Sequence, residues 1–190
     1  MKKPTLDAFY YSELAQAAQA TINQLEQWVT RKLFLPVNPT VAGRSRAFTD
    51  RDACRCAIMA YIVNRCGLPV GIGSYVAEML RDQTELMTDL LIYERHVFAI
   101  VFPDAAASVT RLPTQASIDA ITFAVGWDDN EGSVAAVLQA RDPAGVTIVN
   151  MSRVARAALG RLAKAIDAGN AFDDALKTAG NAHSYNDVEE

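Results

Sequence analysis

The feature that most constrains this chain is a change of periodicity near residue 90. Up to that point apolar residues recur at three- and four-residue spacings between recognisable caps, the pattern of short amphipathic helices. From residue 96 the pattern turns to β-rich runs separated by turns that carry Pro, Asp and Gly. Helices and strands segregated along a chain in this way predict an α+β fold rather than alternating βαβ units. At 190 residues there is room for two small domains. The expected division is a helical head at 5–82, an α+β unit at 83–178 and a polar tail at 179–190.

Within the head, residues 7–18 read as a short helix opening near Ser12. Thr21 is a good N-cap for a second helix, with Gln24 three residues on in capping-box position. Ile22, Leu25 and Trp28, joined by Val29, predict one narrow buried stripe. Asn23, Gln24, Glu26, Gln27, Thr30 and Arg31 fall on the other side. An apolar plug, Leu33-Phe34-Leu35-Pro36, ends this helix, and a loop with two prolines, a glycine and Arg44 and Arg46 follows. Thr49 with Asp52 opens a third helix over 50–66, stopped by Cys66-Gly67, and 71–93 continues as helix with breaks left open.

In the second half, 96–102, 118–127, 133–141 and 145–150 are strand candidates of a mainly antiparallel sheet, the last two forming a hairpin. Residues 151–168 return to helix, with Val154, Ala158, Leu162 and Ile166 at four-residue spacing. A further short helix is expected at 170–178, and 180–190 should fray.

Charge divides unevenly. Residues 1–56 carry eight Lys/Arg against five Asp/Glu, or +3; the remaining 134 carry ten against seventeen, or −7, giving the net −4. A basic head on an acidic body suits a protein that presents one end to phosphates. The second helix then has the side chains for reading DNA. Asn23, Gln24 and Gln27 offer amides suited to adenine N6/N7 or to phosphate oxygens, with an ordinary solvated helix face as the competing account. Arg44 and Arg46 suit the DNA backbone, and Arg31 and Lys32 suit either a phosphate or the helix dipole.

Several classes are disfavoured. The sequence has no Gly-x-Ser-x-Gly, P-loop, His-Glu-x-x-His or Cys-x-x-Cys, so no enzyme chemistry and no cofactor are expected. Cys54, Cys56 and Cys66 are an odd, clustered set, read as free and partly buried thiols rather than as metal ligands or a disulfide framework. His96 is expected at a strand end and His183 in the tail. Trp127, beside the acidic 128–131 turn, is read as flanking a solvated hairpin tip rather than a calcium site. No apolar run is long enough to span a bilayer, and the lysines at the start precede no apolar stretch of signal-peptide length. A cytoplasmic protein without membrane partners is expected.

The order and spacing of the head's fragments resemble the DNA-binding domain of the MerR family of bacterial regulators. The matching residues are Glu13-Leu14-Ala15, Thr21-Ile22-Asn23-Gln24-Leu25, Trp28, Leu33-Phe34-Leu35-Pro36, Gly43-Arg44-Ser45-Arg46-Ala47-Phe48-Thr49, Asp52 and Gly67-Leu68-Pro69. The resemblance implies a winged helix-turn-helix. Its recognition helix would begin at Thr21, Trp28 would pack that helix down, and Arg46 and Phe48 would contact phosphate and pin the wing. It further implies a transcription regulator on double-stranded DNA, a homodimer, and RNA polymerase as a partner.

Two departures stand out. Glu26-Gln27 precedes Trp28 where the family has an arginine before its aromatic pair, and Val29-Thr30-Arg31-Lys32 replaces Glu-x-x-Gly. DNA binding is then weaker, differently oriented, or limited to sites that offer cytosine N4 to Glu26. The family's long dimerisation helix and its downstream cysteines are also missing. The dimer contact would fall to the second half, where the Val154–Ile166 stripe packs on its own sheet or across a two-fold axis. Two other readings remain open: a phage-type excision or packaging factor with the same head, and a protein-interaction module whose winged helix has lost DNA binding.

Overall fold

The computed structural model describes residues 8–38, 47–91, 95–102, 121–127, 134, 138 and 145–184. Its architecture is α+β: five helices in the first half, a three-stranded antiparallel sheet, and a long C-terminal helix, counted among the described residues.

The first two helices are α1 (Tyr11–Ala18) and α2 (Ile22–Thr30). They are separated by a turn in which Gln19 adopts a left-handed backbone, φ 53°. Helix α3 (Asp50–Ala60) opens on a full capping box. Thr49 Oγ1 accepts from the Asp52 amide, and Asp52 accepts from the Thr49 amide. It passes into a π-helical turn at Tyr61–Arg65, and Gly67 in the left-handed region, φ 67°, closes the segment. The helical run expected over 71–93 is two helices, α4 (Val70–Asp82) and α5 (Thr84–Leu91), broken at Gln83.

Strands β1 (Arg95–Val101), β2 (Ile121–Trp127) and β3 (Thr147–Asn150) lie in the order β2-β1-β3. The register pairs Ala99 with both Phe123 and Val149, and Val101 with Ile121. Strand alternation therefore puts Val97, Ala99, Val101, Ile121 and Val149 on one face, and all five are buried against residues of α3–α5 and the final helix. Ile100 and Ala124 face the other way and cluster with Phe102, Val134 and partly buried Leu138.

Here the hairpin expected between 133–141 and 145–150 is corrected. Val134 and Leu138, the two described positions of the first segment, are helical, and β3 pairs with β1 instead. Both pack with Ile100, Phe102 and Ala124 on the second face of the sheet.

Helix α6 (Met151–Ser184) is continuous through the 170–178 segment that was expected as a separate helix. Its apolar stripe corrects another expectation. Ala158, Leu162 and Ile166 are buried where this helix packs against α1 and α3, neither on the sheet nor open to a two-fold contact. Partly buried Val154 touches both main cores. Arg161 reinforces this docking by donating from Nε and one terminal nitrogen to the Ala17 carbonyl, at 2.9 and 2.7 Å, near the end of α1. The second half of the chain thus completes the core of the first.

A buried arginine organises the helical half. Arg55 on α3 is fully enclosed. It donates to Asp52 Oδ1 (3.2 Å), Glu78 Oε1 (3.2 Å), the Ala77 carbonyl (2.8 Å) and the Leu35 carbonyl (3.0 Å). Its guanidinium lies 4.9 Å from the Phe34 ring centroid. Removing it leaves Asp52 buried as an uncompensated charge, so Arg55→Met should cost about 3–5 kcal/mol in urea unfolding. A loss below the ~1 kcal/mol of an average point mutation would show that Arg55 does not organise the fold.

Candidate nucleic-acid interface

Helix α2 is fixed by few contacts and leaves much of its surface outward. Thr21 caps it, its Oγ1 accepting from the Gln24 amide at 3.2 Å. Leu25 and Trp28 are its buried residues, packed among Leu14, Ala17, Ala18 and Phe34. Ile22, expected in the same stripe, is instead 44% exposed. The buried seam of α2 therefore starts at Leu25, one turn later than the spacing predicts.

The end of α2 places a lysine where the backbone favours glycine. Lys32 has φ 57°, the left-handed position usually filled by glycine. Its amide donates to the Val29 carbonyl at 3.1 Å, and the Leu33 amide donates to the Trp28 carbonyl at 2.8 Å. These two bonds make a Schellman cap. The backbone keeps the turn that glycine would make easily, and a lysine side chain is added there.

The outward side chains sort into two groups. Asn23, Glu26, Gln27, Thr30 and Arg31 line one shallow concavity of about 300 Å³, and all five are exposed. They lie at helix positions that share a face. None of them makes a side-chain hydrogen bond or ion pair among the described residues. Thr21 and Lys32 are exposed at the two ends of the helix.

Gln24 stands apart. Its side-chain amide donates to Asn64 Oδ1 at 2.8 Å and accepts from Asn64 Nδ2 at 3.2 Å. This reciprocal pair ties α2 to the π-helical turn and occupies the edge that a base would need. Sequence reasoning did not find Asn64, because the partner lies forty positions away. Arg44 and Arg46 lie outside the described residues.

The chain on either side of them is anchored by the rest of the helical half. The plug after α2 is held by Ser74 Oγ donating to the Leu33 carbonyl at 2.6 Å and by the Leu35 amide donating to Glu78 at 3.2 Å. The Val37 amide donates to Asp52 at 2.9 Å. Beyond residue 46, Phe48 forms an antiparallel bridge with Phe9, with amide-to-carbonyl distances of 3.2 and 2.8 Å. Tyr11 stacks edge-on against Phe48 at 4.9 Å.

The other candidates for chemistry give little. Cys54 and Cys56 are buried and Cys66 is half-buried, with no disulfide among them. Burial pushes the Cys54 thiol up to about 12 and raises Cys56 as well. No cluster of His, Cys, Asp and Glu that could hold a metal occurs among the described residues. His96 sits in β1, its Nδ1 3.0 Å from Asn150 Nδ2. No helix among the described residues is long and apolar enough to cross a membrane. No protein-family model matches the chain, and no curated protein is significantly similar to it in sequence.

Three outcomes follow for these residues. Lys32→Gly should raise stability by roughly 0.5–1 kcal/mol by relieving the left-handed backbone, and no gain in thermal unfolding would refute that assignment. Raised thiol values mean that the folded state keeps protons the unfolded state releases, so stability should fall as pH rises above about 9. Iodoacetamide at pH 8 should label Cys66 ahead of Cys54 and Cys56, which should react only on unfolding, as peptide mass mapping would show.

Proposed function

We propose that the head is a winged helix-turn-helix of the MerR type that binds double-stranded DNA, and that the protein regulates transcription. The observation that carries this reading is the α2 face. A short capped helix is held from behind by Leu25 and Trp28 and presents Asn23, Glu26, Gln27, Thr30 and Arg31 together. A recognition helix needs this division, since the side that reads base edges cannot also be packed inside the protein.

Further support comes from the turn before α2 and from the Phe9–Phe48 bridge, which brings the chain back beside the start of α1 after the arginine-bearing segment. On this reading Arg31, Lys32, Arg44 and Arg46 bind phosphates, while Asn23 and Gln27 approach the bases. Thr21 acts as the cap, and Gln24 works indirectly through Asn64. A homodimer on a palindromic site remains the expected assembly, because one such helix reads only a few base pairs. The Ala158–Ile166 stripe is already used within the protomer, so pairing would need a different surface.

The test is retardation of random-sequence duplex DNA at several salt concentrations. Log affinity should fall against log salt with a slope of about −0.9 per phosphate neutralised. Arg31→Ala and Arg44→Ala should each make the slope shallower by about 0.9. Gln24→Ala should change affinity less than Gln27→Ala. Failure to bind duplex at low salt would refute DNA binding and leave the α2 face as a contact for another protein.

A further inference from the structure

Two side chains on the α2 face do not fit a surface built only to grip phosphates. Ile22 is a large apolar residue, 44% exposed where the helix begins. Glu26, four positions on and therefore on the same side, is exposed in the concavity shared with Asn23 and Gln27. It has no ion pair among the described residues. A carboxylate beside phosphates is repelled, and an exposed isoleucine gains nothing from water. On DNA, both become favourable against the major-groove edges of pyrimidines. Cytosine presents the N4 amine, a donor that a carboxylate can accept from, and thymine presents its C5-methyl group to an apolar side chain.

We propose that α2 reads a thymine and a cytosine close together on one strand, with Ile22 against the thymine methyl and Glu26 accepting from cytosine N4. This specificity rests on the DNA-binding reading above. The spacing is compatible with it. Cβ atoms four residues apart on a helix are about 5–6 Å apart, whereas successive bases rise about 3.4 Å. The two residues therefore span one or two base steps. Asn23 and Gln27 flank Glu26 on the same face and are left for neighbouring adenines. The Gln24–Asn64 pair keeps a third amide from competing for the cytosine.

The experiment selects duplexes from a randomised library with the full-length protein and sequences the retained DNA, for the native chain and for Glu26→Gln. The native protein should enrich a cytosine with a thymine within two positions. Glu26→Gln should lose preference for that cytosine by about tenfold and shift toward adenine, which a glutamine amide can pair with, leaving the thymine preference in place. Replacing the selected thymine by deoxyuridine removes only the methyl group. That change should weaken the native protein about fourfold and leave Ile22→Ala unaffected. Both residues are exposed, so circular dichroism melting of each variant should match the native chain. Enrichment of a motif that Glu26→Gln does not alter, or a deoxyuridine effect that persists in Ile22→Ala, overturns this specificity while DNA binding stands. Retention of no duplex at all overturns both.

Discussion

The helical half of this protein depends on a single buried positive charge. Arg55 sits on α3 with almost no access to water, a position that is costly for a guanidinium unless its donors are met. Two carboxylates, two backbone carbonyls and an aromatic ring meet them. The partners come from three places: Asp52 from α3 itself, Ala77 and Glu78 from α4, and Phe34 and Leu35 from the segment that follows α2. The network therefore does more than neutralise a charge. It fixes where the chain goes when it leaves α2, and Asp52 extends it by accepting from the Val37 amide. An apolar residue at position 55 could fill the volume but could not hold a loop's carbonyl in place.

From that anchor the outward face of α2 follows. Helix α2 is only nine residues long and buries two side chains, too little to be stable alone. Its surroundings set its orientation: Leu25 and Trp28 against α1 and Phe34, Gln24 against Asn64, and the Schellman cap at Lys32 leading into the fixed plug. Holding a short helix from behind and at both ends leaves its front free for polar groups. Glu26 and Ile22 lie exposed on that front.

The second half of the chain is bound into the same body. Helix α6 lays one stripe against α1 and α3 and another against the sheet, and Arg161 ties it to the end of α1. A boundary near residue 82 consequently falls between elements that share apolar cores.

By itself the sequence determined the local structure: the caps at Thr21 and Thr49, the helix of Leu25 and Trp28, the strands around Ala99 and Phe123, and the burial of Cys54 and Cys56. These depend on spacing and capping within a few residues, and such physics is written in neighbouring letters. Only the tertiary structure decided the rest. The partner of Gln24 is forty positions away. Leu162 packs against helices rather than strands, and β3 chose β1 over its sequence neighbour, a segment whose Val134 and Leu138 are helical. Ile22 has the same spacing as Leu25 and Trp28 but meets water, because periodicity names a face without saying which of its positions a neighbour will cover. Each of these outcomes depends on which distant surface arrives, and that is a property of the whole packing rather than of any segment.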